Sequence, residues 1–143
     1  MSYLAWVGAA AVLVCGLTAA GAEKSTAAAE QPTGRYFEVR TYIANEGKFD
    51  ALHARFRDHT NRIFKKHGIE VIGYWVPTDP AKSKNTLVYM LAYPSKEARD
   101  AAWKAFRADP EWIAAKAKSE EGGGLVGKVI EEFFTATDYS PIK

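Results

Sequence analysis

Arg35-Tyr36-Phe37-Glu38-Val39-Arg40-Thr41-Tyr42-Ile43 alternates with a period of two. Phe37, Val39 and Ile43 share one side, while Tyr36, Glu38, Arg40 and Tyr42 share the other. This is the pattern of a β-strand with one greasy face and one face of ionisable and aromatic groups. The greasy face is expected to meet helices, leaving Glu38, Arg40 and Tyr42 on the open side of a sheet.

The next segment has a helical period. Phe49, Leu52, Phe56 and Ile63 fall on one face of a helix of about twenty residues, roughly 30 Å long. His67-Gly68 ends it, with glycine suited to the left-handed position after a helix and cations suited to its last turn. Ile69 to Val76 is β-branched and aromatic and stops at Pro77, so it reads as a second strand. After an exposed loop through Asp79-Pro80, Thr86 to Tyr93 reads as a third.

Ser95 is a natural N-cap for an alanine-rich helix, on which Ala98, Ala102, Ala105 and Phe106 form the stripe and Trp103 sits at its edge. Asp109-Pro110-Glu111 restarts a helix that runs to about Glu121. Gly122-Gly123-Gly124 then releases the chain into a last strand, Leu125 to Phe134. The order β-α-β-β-α-β is the α+β, ferredoxin-like arrangement: an antiparallel four-stranded sheet with the helices on one face.

Whichever register is chosen, the open face is apolar: strand two exposes either Ile72, Tyr74 and Val76 or Val71 and Trp75, strand three either Leu87, Tyr89, Leu91 and Tyr93 or Val88, Met90 and Ala92, and the last strand one of Phe133 or Phe134. A contiguous patch of that kind marks an interface, so a symmetric homodimer with facing sheets is expected.

The 143 residues have room for one domain and an appendage. Residues 1–22 carry no charged side chain, and an apolar run from Leu4 to Leu17 is followed by Ala20-Gly21-Ala22, an A-x-A pattern. A cleaved signal peptide at 1–22 is expected, and with it a secreted or periplasmic location, although the n-region offers only the α-amino charge. The alternative is an uncleaved membrane anchor. Lipid attachment at Cys15 is disfavoured by Val14 before it. Residues 23–34 read as a flexible tether, 35–137 as the folded domain and 138–143 as a tail.

Nineteen basic and 17 acidic side chains give a net charge of +2, too balanced to indicate nucleic acid or an anionic membrane as partner. Cys15 is the only cysteine and leaves with the signal, which excludes a disulfide, a thiol nucleophile or a thiolate ligand in the mature chain.

Glu38-Val39-Arg40-Thr41-Tyr42, Gly47-Lys48, His67-Gly68, Gly73-Tyr74-Trp75 and Asp109-Pro110-Glu111-Trp112, in that order, resemble the pattern of the NIPSNAP family over residues 35–137. The resemblance implies a dimeric α/β barrel. It leaves activity open, because relatives include small monooxygenases and haem binders, and a fold alone does not carry a function.

For chemistry, Glu38 and Arg40 stand about 7 Å apart along one strand face and can pair. One reading makes them the polar floor of a cavity, with Arg40 receiving a carboxylate or phenolate oxygen. The other makes them a structural ion pair or a dimer-register pair. Tyr42, Tyr74, Trp75 and Tyr89 either line a pocket for a flat apolar ligand or simply pack. With His53 they complete the candidate ligand-binding set.

The three histidines, His53, His59 and His67, lie on one helix at spacings that do not chelate a metal. No cofactor is expected, and a haem on a single axial His53 or His59 is the alternative. No catalytic residue is assigned, since there is no Gly-x-Ser-x-Gly and no cysteine. Trp112 is expected to anchor its helix. The function expected is binding of a small apolar or aromatic ligand. The rivals are a cofactor-independent, monooxygenase-like enzyme and a pure protein-interaction module.

Overall fold

A computed structural model describes residues 34–143. The expected signal peptide at 1–22 and nearly all of the expected tether at 23–34 lie outside them. Nine elements follow in order: β1 (Tyr36–Ala44), α1 (Phe49–Arg55), a π-helical turn (Phe56–Thr60), α2 (Asn61–Lys66), β2 (Glu70–Trp75), β3 (Thr86–Tyr93), α3 (Lys96–Ala108), α4 (Pro110–Ser119) and β4 (Val126–Thr135). The sheet order is β2-β3-β1-β4 with every pairing antiparallel, the ferredoxin-like arrangement with β1 in the interior. Among the described residues no helix is long and apolar enough to cross a membrane.

The local signals act where the sequence places them. The Ser95 hydroxyl accepts from the Ala98 N–H at the start of α3, and the Asp109 carboxylate accepts from the Glu111 N–H at the start of α4. Asp109 is also tied to Lys66 and His67, 2.7 and 2.6 Å away, which clamps the end of α2 to the start of α4. Gly68 takes φ +71° as the chain leaves α2.

The first helix, expected as one element of about twenty residues, carries a π-helical turn in its middle. Across Phe56–Thr60 it widens to i→i+5 hydrogen bonding, and the Thr60 hydroxyl donates to the Arg55 carbonyl at 3.2 Å.

One expectation is overturned. Glu38, Arg40 and Tyr42 do not lie on the open face. They pair across to Leu91, Tyr89 and Leu87, which are core residues packed beneath the helices, and Glu38 is 0% exposed. Phe37, Val39 and Ile43 take the open face instead, beside Ala92, Met90 and Thr86 of β3 and Phe134, Glu132 and Lys128 of β4. The physical reason is that alternation separates the two faces of β1 but does not record which one distant segments will cover. Donors from β3 and α3 then make burial of the carboxylate tolerable.

Trp103 is likewise not at the edge of its helix. It is 4% exposed and stands with Phe106, Phe64 and Leu52 in the core, whereas Ala105 faces solvent. The open face carries Trp75, Ile130 and Phe134, and Ser140 and Ile142 of the C-terminal segment line a shallow pocket with Phe37, Met90 and Phe134.

A Cβ at position 68 would meet no neighbour within 4 Å, so substitution there tests the backbone alone. Gly68→Ala is expected to destabilise by about 1–2 kcal/mol and Gly68→Asn by less, because asparagine tolerates the left-handed region. Urea denaturation with an unchanged m-value checks this.

Candidate functional site

The site is built from the polar side of β1 upward. Alternation sends Glu38, Arg40 and Tyr42 beneath the helices one after another. Glu38 accepts five hydrogen bonds: from Arg40 Nη1 (2.6 Å), Arg99 Nε (3.0 Å) and Nη2 (2.7 Å), Trp103 Nε1 (2.8 Å) and Tyr93 Oη (3.1 Å). Burial by itself pushes its carboxyl up. The hydrogen bonds from Arg99 and Trp103 and the charge of Arg40 outweigh that and hold it below the ordinary glutamate range. Glu38 is thus a buried anion that stays ionised.

Arg40, 7% exposed, has Nη1 on Glu38 and Nη2 on Glu131 of β4, each at 2.6 Å. Its guanidinium lies over the Trp103 ring at 4.4 Å from the centroid. Arg40 is therefore fixed in plane and direction before any ligand arrives.

Above this floor is a cavity of about 350 Å³ between the sheet and the helices. The sheet supplies Arg40, Tyr42, Tyr89, Val126 and Val129. The π-helical turn and its flanks add Arg55, Phe56, Thr60 and Phe64, and α3 adds Trp103, Phe106 and Arg107. Trp112, Lys116 and Glu120 close the far side.

Aromatic rings make most of the walls. Phe56 stands edge-on to Tyr42 and Tyr89 at 6.1 and 5.3 Å, and Trp112 leans on Phe106 at 4.5 Å. Arg55 is held by Glu120 at 2.7 Å and lies 5.3 Å from the Trp112 ring. Tyr89, 0% exposed, has a hydroxyl without a hydrogen-bond partner. Burial first, and the nearby Tyr42 next, push its ionisation well above the ordinary phenol range, so it remains a donor.

Of the expected ligand-binding residues, Arg40, Tyr42 and Tyr89 meet in this cavity. Glu38 lies behind Arg40 and positions it. Tyr74 faces the helices but lines a separate surface groove with Asn61 and Lys65, donating its hydroxyl to Asn61. Trp75 is on the open face of the sheet, 50% exposed.

His53 packs edge-on against Phe49 at 4.4 Å, and partial burial holds it below the ordinary imidazole range, aided by the charge of Arg57. None of the three histidines lines the cavity, so its walls offer none to a haem iron. No group of three metal-ligating side chains occurs among the described residues.

Sequence reasoning missed Arg99, Trp103 and Arg107, and the signal was there. They are spaced by four along α3, which puts two cations around one indole on a single helix face. Trp112 does anchor α4 against Phe106, and it also lines the cavity.

Replacing Glu38 by Gln keeps its shape and leaves Arg40 and Arg99 facing each other without their shared anion. A loss of about 3–5 kcal/mol is expected at pH 7, as for a buried pair deprived of one partner. Because the native carboxyl is held low, this advantage is fully present above the unfolded glutamate value of about 4.3. It fades as pH falls through the depressed native value. Denaturation of both proteins at pH 7 and pH 3 should show the difference shrinking at the lower pH.

The NIPSNAP family model matches residues 37–141. A NIPSNAP family protein of unknown function from Agrobacterium tumefaciens is 22% identical, with a TM-score of 0.68 over 79% of this chain and 97% of that one. An uncharacterized NIPSNAP-like domain protein from Burkholderia xenovorans is 19% identical, with a TM-score of 0.66 over 76% and 90% of the two chains. SnoaB from Streptomyces nogalater is 15% identical with a TM-score of 0.50 over 76% and 98%. No curated protein matches the chain. At these identities the structural likenesses show a common fold and nothing finer. The family pattern, by contrast, runs from β1 to beyond the end of β4: the chain belongs to the NIPSNAP family.

Proposed function

We propose that this protein binds a small apolar or aromatic ligand in the cavity between its sheet and its helices, acting as a homodimer outside the cytosol. The observation that carries the reading is the cavity itself. Its roughly 350 Å³ is within the range of small-molecule sites, its walls are aromatic, and a few fixed polar groups converge on one end. Such a space is unusual in a core that otherwise packs closely, because each lining ring forgoes contacts it could make with a filled interior.

The dimer rests on a separate observation. The open face of the sheet presents Trp75, Ile130 and Phe134, each at least 38% exposed. Secretion rests only on the uncharged apolar segment at the N-terminus.

A second reading is enzymatic. SnoaB is described as a cofactor-independent oxygenase. Arg40 beside the protonated Tyr89 hydroxyl is an arrangement able to stabilise an oxyanion as it forms. On this reading the cavity residues orient a substrate whose own electrons reduce oxygen. Oxygen uptake on addition of a polyphenol would favour it over simple binding.

Mass spectrometry of the gently purified protein should find a small conjugated molecule retained. Val129→Trp, which places an indole at the cavity wall, is expected to weaken its binding by about tenfold or more, some 1.4 kcal/mol. Retention of the same ligand at full affinity by the variant would place binding elsewhere. For the dimer, Ile130→Glu should shift sedimentation from dimer to monomer at micromolar concentration, and a wild-type monomer there would remove that part of the proposal.

A further inference from the structure

Resting on the reading of the cavity as a small-ligand site, we infer that its ligand is a flat conjugated acid bound as the anion, with its acidic oxygen received by Tyr89 Oη and Arg40 Nε. Four buried side-chain polar atoms lack a hydrogen-bond partner among the described residues. One is on Arg35, against the Glu70 carboxylate. The other three, Arg40 Nε, Arg55 Nε and Tyr89 Oη, all belong to residues that line this cavity. Buried donors are ordinarily satisfied, so three gathered around one space define what should enter it: an acceptor.

The charge census selects the kind of acceptor. Arg40, Arg55, Arg99, Arg107 and Lys116 stand in or behind the cavity, against the carboxylates of Glu38, Glu120 and Glu131. Arg99 reaches one further carboxylate, Asp100, which Lys96 also neutralises at 2.8 Å. The excess is positive, and Arg107 has no carboxylate partner among the described residues. A neutral ligand would leave this excess uncompensated, whereas an anion answers it with a charge-assisted hydrogen bond.

Two further features fit the assignment. Glu38 and Glu131 take both Nη atoms of Arg40, leaving its Nε as the donor with nothing to do. The Tyr89 phenol keeps its proton and can donate rather than repel. The rings of Tyr42, Phe56, Trp103 and Phe106 leave a flat apolar body as the natural complement of that polar end.

Three probes of one shape separate the possibilities by calorimetry at pH 7: 2-naphthoate, 2-naphthol and the neutral 2-naphthalenemethanol. Naphthoate is expected to bind about tenfold tighter than the neutral alcohol, the usual worth of a charge-assisted bond over a neutral one. If phenols are the natural class, naphthol should gain on naphthoate as pH rises toward its ionisation. Tyr89→Phe removes only a hydroxyl without a partner, so its thermal midpoint should be unchanged or higher. It should nevertheless lose most of the naphthoate preference, weakening naphthoate several-fold more than the alcohol.

Equal binding of naphthoate and alcohol, or a preference that survives Tyr89→Phe, would overturn the anion assignment and leave the ligand site standing. Failure of all three probes to bind would overturn the cavity reading and the anion assignment together.

Discussion

A carboxylate removed from water must be given donors, and in this protein that requirement falls on Glu38. At 0% exposure in an interior strand, it would be untenable alone, because burying an unpaired charge is among the most unfavourable things a fold can do. Five hydrogen bonds from four side chains make it tolerable. Those side chains come from β1 itself, from β3 and from α3, so satisfying Glu38 fixes how α3 lies on the sheet. The same contacts orient Arg40, which reaches on to Glu131 and ties β4 to β1 across their shared register. Sheet, helix and cavity floor thus follow from one buried anion.

The cavity is the complement of that arrangement. Arginines and large aromatic rings cannot fill space as closely as leucine and isoleucine do, and here Arg40, Arg55, Phe56, Trp103 and Trp112 surround one space. The π-helical turn contributes at the same place. There the Thr60 hydroxyl donates to the Arg55 carbonyl, and both residues line the cavity. Turns of this kind recur at functional sites because they re-aim side chains without breaking a helix. The π-helical turn and the residues with unpartnered donors therefore line the same space, as they would where binding rather than stability shaped the residues.

Much of this architecture was legible in the chain, for identifiable reasons. Helix and strand periods, the Ser95 and Asp109 caps and the glycine at 68 are local signals, and local physics honoured them. The pairing of Glu38 with Arg40 was also legible, since two residues on one strand face can hardly avoid each other. The direction in which that face points was not. Val39 and Ile43 look like the core side of β1 until one knows that Tyr93, Arg99 and Trp103 deliver donors to the other. These lie 55 to 65 residues further along the chain. The separation of Tyr74, Trp75 and His53 from Arg40 was hidden for the same reason: their common aromatic or ionisable character says nothing about which wall each one joins.

By itself, then, the sequence determined the elements, their order, their capping and the family pattern they carry, because each depends on residues within a turn or two of one another. Only the tertiary structure decided which side of β1 is inside, that Trp103 rather than an alanine stripe is the buried face of α3, and that three unpartnered donors gather around one cavity. Those outcomes depend on desolvation. A carboxylate or a guanidinium is buried or exposed according to what distant segments bring to it, and no period in the chain records that.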